Sequence, residues 1–152
     1  MKYSIYADGA YSSSRDQQGF SFVVYEELEG KRIQKHLFYD GLCGGTNIRA
    51  EMNACLSALK YISENNITDE VIIFTDSMQI IGTFTKNWKM NKNTNMWPSL
   101  WKLITPNIHF QHVKGHEGDE GNSLVDKWAQ FASHVDGCNT DNISVVNRVR
   151  TL

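Results

Sequence analysis

Long apolar runs are missing from this chain. No stretch approaches the roughly 18 consecutive apolar residues of a membrane span, and Met1-Lys2-Tyr3-Ser4 leads straight into a strand-like pattern. No membrane role or leader segment is therefore expected. Proline is scarce, at two residues in 152, and with 41% hydrophobic and 21% charged residues the composition gives no case for disorder. A chain of this length can bury a core without staples, so one self-sufficient domain and a monomer are expected. Cysteine is limited to Cys43, Cys55 and Cys138, an odd number without C-x-x-C spacing. Neither a disulfide framework nor a zinc knuckle is indicated, and a reducing, cytoplasmic setting fits.

Acids are also missing locally. From Ser77 to His116 there is no Asp or Glu, where the chain-wide rate of 17 in 152 predicts about four. Lys86, Lys89, Lys92, Lys102 and Lys114 give that segment a formal charge of +5, so the remainder carries −7 within the net −2. The net charge alone argues against a nucleic acid partner, but its distribution leaves one side able to meet phosphate. A chance gap in the acids beside a solvated lysine face is the plain alternative.

What is present reads as one run of elements without repeats or linkers. Residues 2–8, 19–28 and 33–43 are rich in aromatic and β-branched residues or alternate loosely, which suggests three successive antiparallel strands. From Asn47 to about Asn65, Ile48, Met52, Cys55, Leu56, Leu59 and Ile62 keep helical spacing, with Thr46 or Asn47 available as N-cap. Val71-Ile72-Ile73-Phe74 is a short uninterrupted apolar run, the pattern of a central strand covered on both faces. A helix from Ser77, another from Trp97 to Ile104, a strand at 108–113 and a helix from Ser123 to about Val135 complete the order βββαβααβα. Such an order implies an α/β domain, a mixed sheet flanked by helices, over residues 1–136. Residues 137–152 form a tail whose Arg148 and Arg150 suit either a packed edge strand or a partner-binding segment.

Four carboxylates stand where elements begin or end, and each has an ordinary explanation. Asp8 before Gly9 suits a turn, Asp76 between strand and helix suits an N-cap, Glu51 suits the first turns of a helix, and Ser123-x-x-Asp126 resembles a capping box. Their joint placement is harder to explain so. Asp8 and Asp76 both fall at the C-terminal ends of strands that read as central, the edge where open α/β sheets hold ligands. Glu51 and Asp126 lie near helix starts beside small residues, Ala50 and Ala54 in one case and Ala129 in the other. Four gathered anions repel one another unless a cation is supplied, and all-oxygen ligands favour magnesium or manganese. The glycine-rich stretch from Lys114 to Asn122 precedes Asp126. Its His116 is suited to proton transfer near neutral pH, or is simply a surface histidine. Zinc held by His109, His112 and His116 is disfavoured, because residues three apart on a strand face opposite ways.

Tyr6-Ala7-Asp8-Gly9-Ala10, Thr46-Asn47-Ile48-Arg49-Ala50-Glu51, Phe74-Thr75-Asp76-Ser77 and His112-Val113-Lys114-Gly115-His116 with Asn122 and Asp126 resemble, in order, the signatures of the type 1 ribonuclease H family. The resemblance implies a five-stranded mixed sheet and an endonuclease that hydrolyses the RNA strand of RNA–DNA hybrids. By the same likeness Asp8, Glu51, Asp76 and Asp126 bind two magnesium ions, which manganese can replace, and His116 assists product or metal release. One ion activates water and the other stabilises the leaving 3′ oxygen, giving 5′-phosphate and 3′-hydroxyl ends. Thr46 and Arg49 are implied to hold a phosphate of the DNA strand and Asn47 to read the minor groove. Ser77, Trp88 and Asn122 are implied as further substrate contacts, with Trp88 opening a basic protrusion. Ile48 and Ser14 stand where relatives often carry polar contacts, and the stretch from Lys92 to Trp97 is short, all of which weakens the expected grip. A non-cutting hybrid-binding module and a DNA-directed nuclease of related fold are the competing readings.

Overall fold

A computed structural model describes residues 1–85, 97–113, 120–135 and 148–150. The elements are β1 (Lys2–Ser12), β2 (Gln17–Leu28), β3 (Lys31–Cys43), α1 (Asn47–Glu64), β4 (Glu70–Thr75), α2 (Met78–Thr85), α3 (Trp97–Leu103), β5 (Ile108–His112), α4 (Glu120–Ala132) and β6 (Arg148–Arg150). The expected order βββαβααβα is reproduced, and the five strands it supplies form one mixed sheet. A short sixth strand from the tail extends that sheet, pairing antiparallel with Leu37–Tyr39 of β3. Across the sheet the order is β5-β4-β1-β2-β3-β6. Part of the segment set aside as a tail is thus an edge strand. No helix among the described residues is long and apolar enough to cross a membrane.

The first three strands form a meander. Glu29 and Gly30, at φ 53° and 77°, make the two-residue turn between β2 and β3, where positive φ matches the strand twist. β2 is covered on both sides. Phe20, Phe22 and Val24 join the core beneath α1, while Val23 and Tyr25 join the cluster that includes Val125 of α4. This follows from the two-residue alternation of a strand, and it explains why every position of β2 from Phe20 to Tyr25 except Ser21 carries an apolar or aromatic residue.

The two helices close on the sheet where side chains vanish. A Cβ on Gly9 would lie 2.2 Å from the carbonyl carbon of Ala50, and one on Gly19 would lie 2.2 Å from the carbonyl oxygen of Ala129. Gly9 therefore seats α1 on β1, and Gly19 seats α4 on β2, on opposite faces.

Several sequence expectations need correction. α4 begins at Glu120, so Ser123 lies inside the helix and Ser123-x-x-Asp126 is no capping box. β1 runs on to Ser12, because β2 supplies a ladder partner for every residue up to Ser12↔Gln17 whatever the polarity of the side chains. Cys43, at the end of β3, is disulfide-bonded, whereas Cys55 is buried and free.

Gly19→Ala should destabilise the fold by about 3 kcal/mol, since backbone rather than a flexible side chain occupies the space its methyl needs. The check is a urea titration, with a lowered midpoint at unchanged slope. An unaltered midpoint would contradict the described seating of α4.

Candidate active site

The parallel register of β1 on β4 sets the site. Lys2↔Glu70 through Tyr6↔Phe74 keep a constant offset, and the Tyr6 and Phe74 rings stack at 4.6 Å. Two residues further, the same offset and the same face bring Asp8 abreast of Asp76. Here β4 ends while β1 continues against β2, so the pair lies at a rim of the sheet. Gly9 faces the other way and lets α1 approach, placing the Glu51 backbone beside β1. α4 brings Asp126 from the opposite side.

The ordinary explanations for Asp8 and Asp76 both fail. Asp8 makes no turn, because β1 runs straight through it; its Oδ1 accepts from the Gly9 N–H at 2.9 Å. Asp76 caps nothing in α2, where the Ser77 hydroxyl accepts from the Ile80 N–H at 3.4 Å. Ser77 in turn is braced by its own N–H on Thr75 Oγ1, at 3.1 Å.

Their charges are linked. Burial pushes the Asp8 carboxyl up to about 9, helped by the Asp76 charge and by a hydrogen bond with Asp126, against the pull of the Gly9 N–H. Asp76 is raised by burial and then by the Asp126 charge, opposed by a hydrogen bond with Asp8 and by the charge of His112. Glu51 is raised chiefly by burial and also by Asp76, while a hydrogen bond from Ser77 holds it down. The result is a chain of carboxylates, Glu51–Asp76–Asp8–Asp126, with the Asp8 side chain only 4% exposed at its centre. Cys55 lies beneath them; burial and the charges of Glu51, Asp8 and Asp76 raise its thiol far above neutrality, so it offers no thiolate.

A hydrogen bond between two carboxyl groups needs a proton, and here that proton screens a repulsion a cation would screen better. The donor set is all hard oxygen, which fits magnesium or manganese. Among the described residues no three or more His, Cys, Asp or Glu side chains are gathered as a metal-holding group. Magnesium takes few protein ligands and keeps water and phosphate in the rest of its shell, so an open rim suits it.

The other candidates divide. Thr46 is the N-cap of α1, its Oγ1 accepting from the Arg49 N–H at 3.2 Å, and Thr46 and Asn47 are exposed with Arg49 half-buried. Ser77 is buried and engaged with Glu51, and Asn122 is buried at the start of α4. His116 and Trp88, with Lys86, Lys89, Lys92 and Lys114, lie outside the described residues. Sequence reasoning gave His112 no role beyond a family signature and a disfavoured zinc site, whereas it ends β5 opposite Thr75 and its charge bears on Asp76. It also passed over Gln17, Gln18 and Asn53. The one signal was the polarity of Asn53 between Met52 and Ala54; Gln17 and Gln18, beside Asp16, gave none.

The sequence profile of the RNase H family matches residues 1–134. The chain belongs to that family. A ribonuclease H of Legionella pneumophila is 32% identical over 145 residues, covering 86% of this chain and 96% of the relative. The solved RNase H1 of the halophilic archaeon Halobacterium salinarum NRC-1 superposes with a TM-score of 0.71 at 20% identity, over 87% of this chain and 97% of that one. LC11-RNase H1, solved in complex with an RNA/DNA hybrid, gives a TM-score of 0.69 at 21% identity, over 86% and 98%. The ribonuclease H-like α/β fold expected from the sequence is therefore borne out. Membership in the RNase H family makes the chain a hydrolase, an endoribonuclease.

The Asp8 shift has a sign in stability. A carboxyl that titrates near 4 in the unfolded chain and at about 9 in the native one keeps a proton in the folded state that the unfolded state has lost. Its stabilising contribution is complete below about pH 4 and is lost as pH rises toward 9. In chelator, Asp8→Asn should melt at or above the wild-type temperature, with the difference widening across that window. A large fall in melting temperature at pH 8 would show that Asp8 holds the fold rather than a metal.

Proposed function

We propose that the protein is a type 1 ribonuclease H that hydrolyses the RNA strand of RNA–DNA hybrids with two magnesium ions. The observation that carries this reading is the linked chain Glu51–Asp76–Asp8–Asp126, four carboxylates from separate elements that meet at one rim. The hybrid-bound state of a protein with the same fold, LC11-RNase H1, agrees with it.

Asp8, Glu51, Asp76 and Asp126 would hold the ions, with Asp8 releasing its shared proton as they enter. When bound, such a pair supplies an activated water as nucleophile and a counter-charge for the leaving oxygen. The residues fix the rest. Ser77 orients Glu51, the Gly9 N–H orients Asp8, and the stacked Tyr6 and Phe74 keep Asp8 and Asp76 side by side. Attack by water forms a new P–O bond as the bond to the 3′ oxygen breaks, and one water proton passes to that oxygen. The ends are then 5′-phosphate and 3′-hydroxyl.

Thr46, Asn47 and Arg49, exposed or half-buried at the N-terminus of α1, are placed to meet the hybrid: Thr46 and Arg49 at a DNA phosphate, Asn47 in the minor groove. RNA is distinguished by its 2′-hydroxyls, displayed along the wide minor groove of the duplex, so recognition is largely independent of base sequence. The lysine-only segment supplies phosphate contacts, and binding weakens with salt. His116 assists release of product. Action as a monomer in the cytoplasm is part of the same reading.

The test is a panel of labelled RNA–DNA hybrid, duplex RNA and duplex DNA over a titration of magnesium and manganese. Cleavage of the RNA strand of the hybrid alone is expected, and equal cutting of duplex DNA would remove the assignment. Asp76→Asn should abolish cleavage, whereas His116→Ala should lower turnover by no more than about a hundredfold, the scale of assistance by one proton-transfer group. Equal losses would contradict that division of roles.

A further inference from the structure

α1 is buried through Ala50, Met52, Ala54, Cys55 and Leu56, yet Asn53 among them is only 2% exposed. Its Nδ2 donates to Gln18 Oε1 at 2.6 Å, and Gln18, 4% exposed on β2, donates from Nε2 to the carbonyl oxygen of Gly44 at 3.2 Å. Among the described residues Asn53 Oδ1 has no hydrogen-bond partner, and neither has the Ser57 hydroxyl one turn further along α1. A buried amide that leaves an acceptor unpaired costs stability relative to a leucine or methionine in the same place. Packing does not account for the pair.

The loop that receives this bond leads from β3 into α1. Gly44 and Gly45 have φ values of 75° and 108°, a conformation side chains disfavour. A Cβ on Gly45 would lie 2.2 Å from Gln18 Nε2, so the glutamine reaches Gly44 only because Gly45 has no side chain. The Gly44 N–H also donates to the Asp16 carbonyl oxygen at 2.6 Å, which fixes the loop from its other side. The next residues are Thr46, Asn47 and Arg49.

We infer that Gln18 and Asn53 are positioning residues for the nucleic acid strand met by Thr46, Asn47 and Arg49, holding the Gly44–Gly45 backbone so that the start of α1 is presented in one orientation. The inference rests on the hybrid-cleaving reading above. Neither residue touches the carboxylates, so their effect falls on substrate binding rather than on chemistry.

Three substitutions separate the links. Gln18→Glu keeps the acceptor for Asn53 and removes the donor to Gly44. Asn53→Asp removes the donor to Gln18 at constant shape. Gln18→Met removes both bonds at similar volume without burying a charge. Each should raise KM for the hybrid about fivefold, the scale of one ordering hydrogen bond, at unchanged kcat and unchanged magnesium dependence. Amide hydrogen exchange of the protein without substrate should quicken at Gly45 to Asn47 in all three and stay unaltered at Ile72 and Ile73 of β4.

Unchanged KM and unchanged loop exchange, or losses confined to kcat and melting temperature, would overturn the positioning role. Should the charged variants fail to fold, Gln18→Met decides the question by the same two readouts. Wild-type protein that cuts no hybrid would remove the functional reading itself. Wild-type cleavage with all variants at wild-type KM would remove only this inference.

Discussion

The parallel pairing of β1 with β4 is the constraint from which the rest of the site follows. A slip of one residue would turn Asp8 to the opposite face and part it from Asp76. The register is held from both sides of the sheet. Ile5 and Ala7 lie with Val71 and Ile73 in the core beneath α1, and Tyr6 stacks on Phe74 on the other face. Burial of each such large side chain is worth roughly 2 kcal/mol. The repulsion gathered at the rim is therefore imposed by apolar packing below it, and it stays uncancelled until a cation arrives. That order of cause explains how Asp8 can be buried beside two other acids without the strands separating.

Much of the architecture was legible, because amphipathic helices and apolar strands advertise themselves through spacing. The long helix from Asn47, the apolar run Val71–Phe74 and the three opening strands could be placed from local pattern alone. Boundaries were less legible for a physical reason. β1 continues through polar Tyr11 and Ser12 because β2 lies alongside, and α4 begins three residues before Ser123; neither the partner strand nor the helix start is written in local hydrophobicity. The pairing of β6 with β3 likewise depends on contacts between segments far apart in sequence.

The candidate site divides in the same way. Its four carboxylates were legible because local pattern put each near an element boundary, in an order that matches a family, although Asp8 and Asp126 lie inside β1 and α4. Their coupling was not. That Asp8 carries the strongest perturbation follows from its burial and from its place between Asp76 and Asp126, which needs three elements in position at once. Asp76 looked like an N-cap until Ser77 took that role, and only the folded chain distinguishes the two.

Gln17 and Gln18 show how far such long-range work can be concentrated. As neighbours on a strand they point to opposite faces. Gln17 Nε2 donates to the carbonyl oxygens of Ala132 and Val135, at 2.8 and 2.7 Å, and so fastens the end of α4. Gln18 fastens α1 and the loop before it. One strand beside β1 thus fastens both the loop before α1 and the end of α4. Apolar faces can slide against a sheet by small amounts with little loss, but a buried amide bonded at fixed length to a named carbonyl cannot. The loop before α1 and the end of α4 are then fixed by directional contacts on β2, while the hydrophobic core supplies the bulk of the adhesion and sets how closely each helix lies on the sheet.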